Sequence, residues 1–117
     1  MGDFVIRRWE LAPIPEDQAP PHVHHGSDEA FCVLSGRLEV LLGDVRQVLG
    51  EGEYLVVPAG TTHTFATVGD TGARILAVMT PEVDALVDAL HSAGSEEERA
   101  AVWAAHNSAV VDLPTPH

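Results

Sequence analysis

The run Pro21-His22-Val23-His24-His25-Gly26-Ser27-Asp28-Glu29 holds three imidazoles and, beyond a polar turn, a carboxylate. In an extended strand, side chains at i and i+2 point the same way, so His22 and His24 project together while Val23 and His25 face oppositely. Glu29 opens the next run and shares parity with Phe31 and Val33, which returns a carboxylate to the same spot above an apolar interior. Imidazole nitrogen and carboxylate oxygen together suit a borderline divalent metal. Histidines two residues apart also occur on solvent-facing strands, so this run alone leaves the ligand reading open. A second segment, Gly52-Glu53-Tyr54-Leu55-Val56-Val57-Pro58-Ala59-Gly60-Thr61-Thr62-His63, strengthens it. It reads as a glycine turn, an apolar strand and a Pro-x-Gly turn, after which His63 can swing back over the sheet.

These groups need a frame, and the chain changes period near Thr80. Before it, short apolar or alternating runs are separated by Gly, Pro and Asp: Ala30 to Leu34, Leu38 to Leu42, Tyr54 to Val57, and Ile75 to Met79. Many short strands at this spacing predict an antiparallel sandwich or barrel and leave no room for helical crossovers. Phe31, Val33, Leu38, Val40, Leu42 and Phe65 share the inward parity. After Thr80, which can cap, Pro81 suits the first helical position, Val83, Leu86, Val87 and Leu90 fall on one face, and Gly94 ends the helix. Ser95 and Glu98 have capping-box spacing and open a second helix, anchored by Trp103 and running to about His106. Val110-Val111-Asp112-Leu113-Pro114 reads as extended. The helical pair is too short to hold a core, so its apolar stripe must dock on the sheet or on a second subunit.

With 117 residues, the expectation is one domain, a barrel over about residues 4–80 followed by a helical extension over 81–117. Acidic residues number 18 against 6 basic ones, a net charge of −12, which argues against nucleic acid and membrane surfaces as partners. All six bases are Arg, so lysine Schiff-base chemistry is excluded. Cys32 is the only cysteine, which rules out an internal disulfide and fits the cytoplasm. Its phase predicts a buried structural thiol. Gly50-Glu51-Gly52 is no dinucleotide loop, because Leu55 stands at the third glycine position and a strand follows. His25 is expected on the surface, and His91, His106 and His117 in solvent.

The two ligand-bearing segments resemble the cupin superfamily, in its small single-domain bacterial form. His22, His24, Glu29 and Gly36 match the spacing of the first cupin motif; Gly52, Pro58, Gly60 and His63 match the second. Glu16 and Thr67 depart from the family pattern at positions often held by Gly and Asn, which touches loop geometry and not the ligands. The resemblance implies an all-β antiparallel jelly-roll barrel whose mouth holds one divalent transition metal (Fe, Mn, Ni, Cu, Co or Zn) through His22, His24, Glu29 and His63. It implies a small-molecule substrate or ligand, with the helices as lid. The leading chemistry is that of quercetin-type dioxygenases, an oxidoreductase reaction in which Glu29 doubles as catalytic base. Isomerisation, decarboxylation and cyclisation would use the same Lewis acid, and a non-catalytic binding or sensor module is the other class. A homodimer is expected, paired through sheet edges near Phe4 to Trp9.

Overall fold

The computed structural model describes residues 2–112. Nine strands and two helices follow in the order β1 (Val5–Leu11), β2 (His22–His24), β3 (Glu29–Ser35), β4 (Leu38–Leu42), β5 (Val45–Leu49), β6 (Tyr54–Val57), β7 (His63–Thr67), β8 (Ala73–Met79), α1 (Pro81–Ser92), α2 (Glu96–Ala105) and β9 (Ser108–Val110). All strand pairing is antiparallel. One sheet has the order β1-β8-β3-β6, the other β5-β4-β7-β2-β9.

The inward residues of both sheets meet in one core built on Phe31, Val33, Leu38, Val40, Phe65 and Ile75, with Leu42 packed partly buried against it. Alternation is clearest in β3 and β8, where every second side chain is buried. Strand β5 shows none, because Val45, Arg46, Gln47 and Val48 are all exposed on the edge of their sheet; its hairpin with β4 turns at Gly43, φ +66°. A strand with no buried face has no hydrophobic period to announce it.

The expected closed barrel is corrected. Among the described residues no strand ladder joins the two sheets, so the architecture is an open jelly-roll sandwich, with β1 and β6 edging one sheet and β5 and β9 the other. Side-chain parity assigns faces and says nothing about edge closure. The tail supplies the missing neighbour: β9 pairs with β2, placing Val110 opposite His22 and Ser108 opposite His24. The extended segment thus begins earlier than expected, and Leu113, Pro114 and His117 lie outside the described residues.

Helix α1 is capped as its sequence requires, Thr80 Oγ1 accepting from Val83 N, and it ends at Ser92 with Ala93 as cap, one residue before Gly94. Val83 and Leu86 are buried, and Val83 joins the sheet core, so the apolar stripe docks within the chain. Arg7 on β1 donates to Asp84 (2.5 Å) and Asp88 (2.9 Å), pinning α1 across the strand. Ser95 caps α2 by accepting from Glu98 N, while Glu98 reaches back to Gly94 N. Cys32 is only half-buried, on the outer face of the four-stranded sheet beside exposed Tyr54. The thiol is therefore not the core residue that its phase suggested, since that face carries no second layer of strands. Among the described residues, no helix is long and apolar enough to cross a membrane.

Candidate metal centre

The two expected ligand segments converge. In β2, His22 and His24 share a face, and β7 places His63 directly opposite His22. Glu29 arrives from the other sheet at the first position of β3, across from Val57. One ligand atom from each of His22, His24, Glu29 and His63 lies within 4.8 Å of the others, and all four residues are buried. The ring centroids of His22 and His63 are 4.2 Å apart, those of His22 and His24 4.9 Å, and those of His24 and His63 5.0 Å.

The turns that carry the ligands are stitched together. Gly60, at φ +80°, donates its N–H to His24 O (2.8 Å), and Asp28 accepts from Ala59 N (2.7 Å). Ser27, buried between the ligands in sequence, hydrogen-bonds Thr80 Oγ1 at 2.8 Å. Thr67 bonds both the N–H and the carbonyl of Ile14, so its departure from the family pattern serves the loop before β2. His25 is exposed, as its parity predicts, and His91 is exposed too, but His106 is only half-exposed and bonds Val102 O.

Each ring is held by its outer nitrogen. His22 Nδ1 donates to Pro20 O (2.8 Å) and His63 Nδ1 to Thr61 O (3.0 Å). A carbonyl only accepts, so both Nδ1 atoms carry hydrogen and a neutral ring offers its Nε2 lone pair inward. His24 Nδ1 meets Ser108 Oγ at 2.7 Å. On the inner side the polar groups are unmatched: Glu29 Oε1 and His63 Nε2 are buried and lack hydrogen-bond partners. His24 Nε2 lies 2.5 Å and His63 Nε2 3.5 Å from that oxygen. Such orphaned atoms are costly in a dry interior, and a cation among them would satisfy all four residues.

Protonation states agree. Burial pushes the Glu29 carboxyl up, but the His24 and His63 imidazoles outweigh it and hold the group down at about 2. Burial, then the neighbouring His63 and His24, lower His22 to about 4 against the pull of Pro20 O and Glu29. Near neutrality these are an anionic carboxylate and a neutral imidazole, the states in which both ligate.

The site is roofed by a part of the chain whose role the sequence did not disclose. Trp103 of α2 is buried, its ring 4.8 Å from that of His22 and 6.5 Å from that of His24. It anchors α2, as expected, yet it does so on two residues of the cluster itself. Trp103 thus covers the His22 and His24 side of the cluster, where a substrate mouth was expected. Two clefts open elsewhere, one of about 590 Å³ bounded by Glu16, Asp17, Glu39 and Arg46, the other of about 410 Å³ bounded by Glu10, Ser35 and Arg74; no ligand lines either.

A family model described as "Cupin domain" matches residues 9–79, more than half of the chain. The chain belongs to the cupin family. Among its curated relatives, this cupin is 43% identical to quercetin 2,3-dioxygenase of Bacillus subtilis over 49 residues, 42% of the chain and 14% of that protein. It is 31% identical to a germin-like protein of Arabidopsis thaliana, subfamily T member 3, over 94 residues, 74% of the chain and 40% of that protein. The cupin thus spans less than half the length of either relative. Among solved structures, a sugar phosphate isomerase of Silicibacter pomeroyi superposes with a TM-score of 0.60 at 26% identity, covering 68% of this chain and 52% of that one. The protein TT1209 of Thermus thermophilus gives 0.60 at 29% identity, with 67% and 72% covered. The family match ends at residue 79, so α2 and β9, which roof the ligands, lie outside it.

Proposed function

We propose that this cupin is a metal-dependent protein acting on a small organic molecule, with His22, His24, Glu29 and His63 holding one divalent transition metal. The observation that carries the reading is the pair of buried, unpartnered atoms, Glu29 Oε1 and His63 Nε2, facing two further imidazoles. A bound ion would supply Lewis-acid activation of substrate oxygens or of dioxygen. Support for oxygen insertion comes from the likeness to a quercetin dioxygenase. Glu29 is the one carboxylate of the four residues, and its single negative charge would partly offset a divalent ion. A carboxyl held at about 2 is a weak proton acceptor, which favours the ligand role of Glu29 over a second one as base. A non-catalytic binding or sensor role is the second reading, favoured by Trp103, which packs over His22 and His24.

Elemental analysis of protein purified without added metal, followed by oxygen-uptake screening with catechols and flavonols, tests the reading. About one transition-metal ion per chain is expected, abolished in His63→Ala with the fold retained. Cu(II), a paramagnetic quencher, should quench Trp103 fluorescence, and Trp103→Phe should remove that quenching. A metal content unchanged by His63→Ala, or turnover that persists after metal loss, refutes the proposal. Ligand-induced stabilisation without product selects the sensor role.

A further inference from the structure

The ligand His24 depends on a residue more than eighty positions away. Its Nδ1 lies 2.7 Å from Ser108 Oγ, both side chains are buried, and β9 places Ser108 directly opposite His24 in the sheet. A serine hydroxyl has one hydrogen. Here it is spent on His106 O, 3.1 Å away, so Oγ is left to accept from His24 Nδ1. The carbonyls of Pro20 and Thr61 do the same for His22 and His63, but those acceptors lie within two residues of their histidines. Of the three rings, only that of His24 takes its outer hydrogen-bond partner from the C-terminal segment.

We propose that Ser108 is a positioning residue of the metal centre, orienting His24 so that its Nε2 is the ligating atom, and that the α2–β9 segment is thereby an integral wall of the site. The inference rests on the metal reading above. Three features tie this segment to the ligands independently of the hydrogen bond. Trp103 packs on His22 and His24. The β2–β9 ladder runs along both histidines. His25 N donates to Asn107 O (2.9 Å) at the turn into β9, where Asn107 adopts φ +55°. Displacing the segment would free the His24 ring to rotate or to change tautomer, and would uncover His22 in the same movement.

The test uses the full chain with Co(II) as probe, its affinity read by competition with a chromophoric chelator and its geometry by visible absorption. Ser108→Ala should lower Co(II) affinity about 10- to 100-fold, the range for loss of an outer partner of a ligating histidine, and should alter the ligand-field bands. Ser108→Thr, which keeps the hydroxyl, should restore both. Wild-type affinity and spectrum in Ser108→Ala would overturn the role of Ser108 while leaving the metal reading intact. Failure of the folded wild-type chain to bind Co(II) would remove both. Should Ser108→Ala not fold, ¹⁵N resonances of the wild-type imidazoles decide: a protonated Nδ1 on His24 in the metal-free protein is expected, and an unprotonated one overturns the proposal.

Discussion

Replacing Thr80 with Val should cost more than a helix cap, because the Thr80 hydroxyl serves two masters. It accepts from Val83 N at 3.3 Å and pairs with Ser27 Oγ at 2.8 Å. Loss of an N-cap costs about 1 kcal/mol, and the long bond to Val83 puts this cap no higher. Ser27 is 4% exposed, so its orphaned hydroxyl adds about 1–3 kcal/mol. The sum, about 2–4 kcal/mol, corresponds to a fall in Tm of roughly 8–16 °C at about 4 °C per kcal/mol for a chain of this size. Ser27→Ala alone should cost less, about 0.5–1.5 kcal/mol, since Thr80 keeps Val83 N as a partner. In the double variant no buried hydroxyl remains unpaired, so the two costs should fall short of additivity by about 1–2 kcal/mol. Urea unfolding of the four proteins gives the coupling directly. Because Ser27 sits between His24 and Glu29, Thr80→Val should also weaken Co(II) binding. Costs that add within about 0.5 kcal/mol would show that the Ser27–Thr80 contact carries no energy, and the reasoning would fail.

Two further outcomes follow from geometry and charge. Gly36 and Gly52 both adopt φ +80°, but a Cβ at Gly36 would stand 2.3 Å from Gly72 O, whereas at Gly52 it meets nothing within 4 Å. Gly52→Ala should cost only the backbone penalty, about 1–2 kcal/mol, and Gly36→Ala about 4 kcal/mol or more; equal costs in thermal melts would refute the steric argument. In the metal-free protein, His22 at about 4 and Glu29 at about 2 lie below their ordinary 6.5 and 4.5, so the unfolded chain binds protons first on acidification. Stability should therefore be fully present above about pH 6.5 and fall as pH drops toward 4 and below, as read by urea midpoints; a flat profile from about pH 7 to 4 would contradict it.

The convergence of His22, His24, Glu29 and His63 was legible because a strand aims i and i+2 together, and because the Pro58-Ala59-Gly60 turn before His63 marks the chain's return. The inward row of β3 and β4 was legible for the same reason. What the sequence could not disclose depends on pairing between distant strands. Val45–Leu49 lies on an edge with one buried residue, so no period reveals it. Ser108 is one serine among several until the β2–β9 register sets it against His24. Trp103 reads as an ordinary helix anchor, since nothing in its local spacing says that the surface beneath is built of imidazoles. Openness of the sandwich was hidden too, because alternation is identical in a closed and an open roll.

The placement of the ligands also says how an ion would act on the fold. His22, His24 and His63 stand on one sheet and Glu29 on the other, and no strand ladder crosses between the two among the described residues. At this end of the sandwich the sheets meet through side chains and turn hydrogen bonds, and the centre of that contact is polar and partly unsatisfied. An ion bound by all four residues would be a direct tie between the layers. Its binding energy would then be lost only when the layers part, which makes it part of global stability and not of a local loop. The C-terminal segment stands in a different position. Helix α2 and β9 contact His22 and His24 from outside the core, through Trp103 and Ser108, so their contacts with the cluster fall on the five-stranded sheet alone.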